Sequence, residues 1–183
     1  MLTLQVITLL LCLTGDYALK TQIRPNPRTR TSRGLALIIH PVSDTISLYD
    51  KVSRNGNNKM PNGETAELST GTYTCPAGGQ SCHNTDSMLA TQMSGNIVCT
   101  DDDATCVLNG EFQRRGIDVE GTGGNTLTVK ALTFFRGQTG WGGGINIFDG
   151  AIVNVVLSKF TDCRSTSTDI SYGGGAMRVD GSR

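Results

Sequence analysis

The sequence is poor in the residues that most often carry chemistry. Of 183 residues, two are histidine, one is tryptophan and five are proline; aromatic residues make up 5% and charged residues 17%. Lysine plus arginine balances aspartate plus glutamate at 16 each, so there is no basic excess with which to hold a nucleic-acid backbone. His40 and His83 are the only histidines. Neither lies in a recognisable nucleophile context, which leaves Ser–His–Asp and Cys–His catalysis without support. No CxxC pair occurs, and zinc is a weak reading. After the first twenty residues no apolar run is long enough to cross a bilayer as a helix. After Pro61 no stretch carries a sustained helical stripe. What is abundant is glycine, at 23 residues, well above the usual share of about 7%. A hydrophobic content of 37% in strongly patterned segments suffices for one folded domain with a core.

Four parts follow from texture. The apolar run Leu4–Leu13 in "MLTLQVITLLLCLTGDYALK" has the length of a signal-peptide core. Residues 1–18 are read as a signal cleaved after Gly15 or Ala18, with an uncleaved anchor or a buried N-terminal segment as the alternative. A signal places the protein outside the cell or on its surface. Residues 19–34 are a basic linker, in which "KTQIRPNPRTRTSR" holds five cations, two prolines and no acid. Residues 35–61 form an N-terminal capping segment, with a strand near Leu35–Ile39 and a short helix near Thr45–Val52 that ends at "RNGNN". Residues 62–183 are brief β-rich segments punctuated by Gly, Asn or Asp. Cys12 leaves with the signal. "CPAGGQSC" and "CTDDDATC" each hold six residues between cysteines, a spacing that suits small disulfide loops, Cys75–Cys82 and Cys99–Cys106, in an oxidising compartment. Cys163 is then odd.

The β-rich part repeats. Gly116-Ile117-Asp118-Val119 aligns with Gly144-Ile145-Asn146-Ile147 and with Ala176-Met177-Arg178-Val179. A second register sets "LTVKALTFFRG" over "VNVVLSKFTDC", so that Leu127 meets Val153, Val129 meets Val155 and Phe134 meets Phe160. The registers differ because about five residues within "CRSTSTDIS" enlarge one loop, an insertion of the kind stacked repeats tolerate. Each coil is too small to bury its own apolar residues, and stacking joins them into continuous ladders. Period-two alternation turns Asp118, Asn146 and Arg178 outward as one column. Glycines are expected at the tight corners, supplying φ > 0 where a Cβ would clash.

From about Asn62 to Arg183 the chain resembles the right-handed parallel β-helix, pectate-lyase-like superfamily. "GETAELSTGTYT" looks like its opening coil. "CTDDDATCVLNGEFQRRGIDVEG", "LTVKALTFFRG" and the "GGG" turns look like the following coils. In texture the chain is nearest to secreted or surface repeat proteins of the adhesin or polymorphic outer-membrane protein type, with their "GGGA" and "F-x-x-C" elements. The resemblance implies an all-β, right-handed parallel solenoid. It does not choose an activity, because the superfamily holds lyases, hydrolases, epimerases and adhesins. The chain stops two residues after an Asp-Gly turn with no evident cap, which reads as a fragment, a truncated product or an end covered by assembly.

Several residues are candidates for chemistry. Lyases of the resembled superfamily hold calcium with clustered carboxylates and use Arg or Lys as base, so the resemblance marks Asp101, Asp103, Arg114 and Arg115. Consecutive acids in an extended segment face opposite ways, and a solvated disulfide loop explains "DDD" without chemistry. Hydrolysis needs several carboxylates on neighbouring coils, and the column of Asp118, Asn146 and Arg178 offers one. The glycine triplets in "GWGGGINIFDG" and "SYGGGAMRVDG" are followed by strand patterns and by no Lys-Ser/Thr, which excludes a phosphate loop. Trp141 and Tyr172 precede them and read either as corner shields or as a platform for sugar stacking. The leading expectation is a secreted, non-catalytic module that binds a polysaccharide, matrix component or surface protein without cofactor or metal. The alternative is a polysaccharide-active enzyme, lyase ahead of hydrolase, with calcium.

Overall fold

The computed structural model describes residues 38–76, 82–84, 86–121, 124–168 and 174–181. The expected signal (1–18), the linker (19–34) and Tyr172 lie outside them. The elements run β1 (Ile39–Val42), α1 (Thr45–Val52), β2 (Thr65–Leu68), β3 (Gly71–Thr74), β4 (Ser87–Thr91), β5 (Gly95–Cys99), β6 (Cys106–Asn109) and β7 (Arg115–Glu120). They continue as β8 (Thr126–Lys130), β9 (Leu132–Phe135), β10 (Gln138–Thr139), β11 (Ile145–Phe148), β12 (Ile152–Val156), β13 (Lys159–Thr161), β14 (Arg164–Ser165) and β15 (Met177–Val179). Every strand pairing is parallel. The first sheet is β1-β2-β5-β8-β12, the second β3-β6-β9-β13 and the third β4-β7-β11-β15, with a small β10-β14 pair between the second and third. Successive coils therefore lay one strand on each sheet: the fold is all-β, a parallel β-helix about five turns deep.

The stacking follows the registers seen in the sequence. Ile117, Ile145 and Met177 pair in one ladder, as do Val119, Ile147 and Val179. Leu127 pairs with Val153, Val129 with Val155, and Phe134 with Phe160. The inward column of the second sheet is Tyr73, Leu108, Phe134 and Phe160. Its two phenylalanine rings stack at 4.9 Å between centroids. Tyr73 is fully buried and its hydroxyl lies 3.0 and 2.8 Å from the Val42 and Ser69 carbonyls, either of which can accept its one proton, which removes the cost of an unpaired buried group. The last described coil leaves Ile152, Val156, Leu157 and Val179 exposed.

Helix α1 has the expected bounds. Asp44 accepts the Ser47 N–H at 2.7 Å and its own N–H reaches Ser47 Oγ at 3.3 Å, a reciprocal cap. Leu48 and Val52, four apart on one face, are both buried against the core. Among the described residues the first strand is Ile39–Val42, which runs through Pro41; residues 35–37 of the expected Leu35–Ile39 strand lie outside them. Among the described residues β1 is an edge strand, where a proline is tolerated. Ile38 and Val42 carbonyls accept the Thr65 and Ser69 N–H groups, and alternation turns the Pro41 nitrogen to the open side.

The corners differ in part from expectation. At two corners the left-handed positions are held by residues other than glycine, Ala104, Ala131 and Leu157 at one and Phe112, Arg136 and Asp162 at the next, while Gly63, Gly124 and Gly150 hold them before the first-sheet strands as expected. Within the triplet Gly142–Gly144 only Gly142 has positive φ, at 55°. Gly143 and Gly144 are required by close approach. A Cβ on Gly144 would stand 2.5 Å from the Phe160 ring, and one on Gly137 only 1.8 Å from the Gly143 carbonyl oxygen. Gly137 and Gly143 thus pinch the chain at the base of residues 138–142, of which Gln138 and Thr139 pair with β14. Both cysteine pairs stand at disulfide distance, with Cα–Cα of 5.8 Å for Cys75–Cys82 and 5.6 Å for Cys99–Cys106. Cys163 is free and half-buried.

Candidate functional site

The outward column of the third sheet comes from register alone. Ala90, Asp118, Asn146 and Arg178 stand opposite one another on β4, β7, β11 and β15. Asn146 Nδ2 donates to Asp118 Oδ1 at 2.9 Å, and Arg178 Nη1 to Asn146 Oδ1 at 3.4 Å. Arg178 Nη2 reaches Asp180 Oδ2 at 2.7 Å, and its guanidinium carbon lies 5.1 Å from the Trp141 ring centroid. Asn146 is buried, so this hydrogen-bonded row is a rigid floor.

Trp141 is the wall. It sits on the loop pinched by Gly137 and Gly143. Thr139 Oγ1 accepts the Trp141 N–H at 3.2 Å and donates to the Trp141 carbonyl at 2.6 Å, while Ser165 Oγ donates to the Gly140 carbonyl at 2.6 Å. The loop's polar backbone is occupied locally, yet the indole keeps 45% exposure. On one side lies a groove of about 460 Å³ over the Asp118–Asn146–Arg178 floor. On the other lies a second groove of about 470 Å³, lined by Phe112, Gln138 and Thr139. Asp86, Arg115 and Trp141 border both.

Arg115 joins the site from the start of β7. Its side chain is buried, and Nη1 lies 3.0 Å from Asp118 Oδ1, at ion-pair distance. The alignment is not that of a hydrogen bond, so Nε and Nη1 have no hydrogen-bond partner. Burial pulls the Arg115 guanidinium below its ordinary pKa, opposed by the charges of Asp118 and Asp86. Asp86 is set by a turn in which Asn84 Oδ1 accepts the N–H groups of Asp86 and Ser87, each at 2.8 Å. With Asp149 and Asp180, the first groove presents four carboxylates and two guanidinium groups.

The sequence-derived residues therefore divide. Asp118, Asn146, Arg178 and Trp141 meet in one groove. Asp101 and Asp103 do not join Arg114 and Arg115. The acids lie at the corner between β5 and β6. Arg114 donates to the Asn84 carbonyl at 3.3 Å, near the grooves. Asp101 accepts the Asp103 N–H at 3.1 Å and the Thr105 hydroxyl, which hold its carboxyl below the ordinary range. Asp102 pairs with Lys130 at 2.7 Å, and the Asp103 carbonyl accepts Lys159 Nζ at 2.8 Å. Among the described residues no three His, Cys, Asp or Glu side chains are placed to hold a metal ion, and no helix is long and apolar enough to cross a membrane. Asp86, Asp149 and Asp180 were not picked out by sequence. The only trace of the last two is the repeated "DG" after each alternating segment.

Comparison with protein-family models, with curated proteins and with solved structures returned no match.

Proposed function

We propose that this chain is a non-catalytic β-helix module that binds a glycan across the outer face of its third sheet. One observation carries the reading. A half-exposed tryptophan on a fixed loop stands between two grooves, one of them floored by a hydrogen-bonded Asp–Asn–Arg row. An indole face stacks on a sugar ring, and ordered carboxylates, amides and guanidinium groups match its hydroxyls. Four carboxylates against two guanidinium groups favour uncharged sugar units over the first groove. The two cysteine pairs at disulfide distance support an oxidising, extracellular setting, in line with the expected signal. Likeness to the right-handed pectate-lyase-like superfamily and its surface repeat proteins belongs to the same proposal.

The four carboxylates favour a second reading, a polysaccharide-active enzyme. Two of them weigh against it: Asp118 is tied to Arg115 and Asn146, and Asp180 to Arg178. Such partners hold both side chains in the protein's own network, whereas a general acid or base must reach the substrate oxygen or a water. Calorimetric titration with a panel of soluble neutral oligosaccharides tests the choice. Saturable binding that Trp141→Ala weakens about thirtyfold, with unchanged melting temperature, is the expected result. Undiminished affinity in that variant removes the groove from consideration. New reducing or unsaturated ends, abolished by Asp118→Asn, make the protein an enzyme instead.

A further inference from the structure

The second groove leads to a corner of opposite charge. Phe112, on the turn between β6 and β7, lines that groove and carries two guanidinium groups. The Arg164 carbon lies 4.4 Å from its ring centroid and the Arg136 carbon 5.3 Å, with Arg136 also 4.7 Å from the Phe135 ring. The arginines come from successive coils. Arg136 is the left-handed corner residue after β9, and Arg164 opens β14. Arg164 Nε donates to Gln138 Oε1, a groove residue. Both arginines are exposed. Glu111 and Asp162 occupy the neighbouring turns, yet among the described residues neither Arg136 nor Arg164 forms an ion pair.

Two like charges gathered on one ring without a counter-charge repel each other, and an anion relieves that repulsion. Stacking fixes each guanidinium plane and leaves N–H groups other than the Arg164 Nε–H, which Gln138 holds, for the geometry that sulfate and carboxylate oxygens accept. Elsewhere on the third-sheet face the arginines already have acidic partners: Arg115 has Asp118 and Arg178 has Asp180. The corner differs in that Arg136 and Arg164 form no ion pair with the nearby Glu111 and Asp162.

We infer that Phe112, Arg136 and Arg164 form a cradle for an oxyanion carried by a glycan, a sulfate ester or a uronate carboxylate, at the end of the groove beyond Trp141. The inference rests on the glycan reading for its carrier, while the anion site stands by itself. Sugar units lie over Trp141, and the charged substituent reaches the cradle, whose N–H groups replace its water.

The test has two stages. Inorganic sulfate is titrated into the full chain labelled with ¹⁵N, reading the arginine Nε–H signals. Saturable shifts at Arg136 and Arg164, and none at Arg54, are expected; the absence of shifts at both overturns the cradle. Dextran, dextran sulfate and polygalacturonate are then compared on the native chain, Arg136→Gln/Arg164→Gln, Lys51→Gln and Trp141→Ala. Dextran sulfate or polygalacturonate binding at least tenfold tighter than dextran is expected, with that margin erased in the double arginine variant and kept in Lys51→Gln. The polyanion favoured distinguishes sulfate from carboxylate. An equal loss in Lys51→Gln means general electrostatics and overturns the cradle. If Trp141→Ala removes dextran binding while the arginine variant keeps the polyanion margin, the cradle fails and the groove stands. If sulfate shifts the arginines and no glycan binds, the groove reading fails and the anion site stands.

Discussion

Two turns, the acidic residues 100–105 and the uncharged residues 138–142, differ in what they do with their polar groups. In the first, Asp101 is used by Thr105 and by the Asp103 N–H, Asp102 by Lys130, and the Asp103 carbonyl by Lys159. Most of its polar groups are used within the protein, and a disulfide closes the turn at its base. In the second, the backbone is likewise satisfied by Thr139 and Ser165, but the indole is held outward between two grooves. A polar cluster that completes itself is a way to end a corner. A cluster that holds a side chain half-exposed beside a groove prepares a surface for something else. The run of three acids is the more conspicuous in the sequence, and the structure gives the groove to the other turn.

The comparison breaks most sharply at the base of the tryptophan loop. Gly137→Ala places a methyl 1.8 Å from the Gly143 carbonyl oxygen, and backbone on both sides must move. A loss of about 3 kcal/mol or more is expected, since overpacking against backbone exceeds the usual cost in a core that can relax. Asp102→Ala, which removes one exposed ion pair, should stay within about 0.5 kcal/mol. Denaturant midpoints at constant slope measure both, and equal effects would show that the pinch is not what holds the loop.

The next effect sharpens the contrast. Cys99→Ala/Cys106→Ala opens a closure seven residues apart and should cost about 2–3 kcal/mol through the freed unfolded chain. Because that corner completes itself and lies apart from the groove, glycan affinity measured well below the melting temperature should stay unchanged. A tenfold loss of affinity would tie the acidic turn to the binding face after all.

How much of this was legible follows from where each signal lies. The ladders of Ile117, Ile145 and Met177, and of Phe134 and Phe160, were legible because alternation and coil length are written in contiguous residues. So was α1, whose Asp44 cap and buried pair lie within nine residues. Asp118, Asn146 and Arg178 were found as a column because register alone brings them together. Arg115 was singled out for a different partnership, with Asp101 and Asp103, because nothing in sequence shows that β6 separates them. Asp86 and Asp149 come from turns of different coils, and only the fold closes them on one groove. The corners misled because left-handed φ is read as glycine, whereas Ala131, Arg136 and Leu157 adopt it under the constraint of stacking. The cradle of Phe112, Arg136 and Arg164 was hidden for that reason, since its central arginine is itself a corner residue.

The smallest expected effect separates the turns by pH. Chiefly the Thr105 hydroxyl, together with the Thr105 and Asp103 N–H groups and Lys159, holds the Asp101 carboxyl below its ordinary value, against a smaller opposing effect of burial. A carboxyl lowered in the folded state binds its proton more readily when unfolded. Its contribution is therefore complete above the ordinary carboxylate range and is lost as pH falls through the lowered value. Asp101→Asn keeps the oxygen that accepts the Asp103 N–H but cannot titrate. Urea midpoints should match the native chain's less closely at pH 7 than at pH 2.5, and the native curve should fall more steeply below about pH 4. Parallel curves would mean that this turn does not depend on the charge of Asp101. Asn146→Asp asks the converse question of the groove floor, by placing a carboxylate beside Asp118 where the native amide donates. Like charges facing across one ladder step repel, so stability there should fall as pH rises, opposite in sign to the acidic turn.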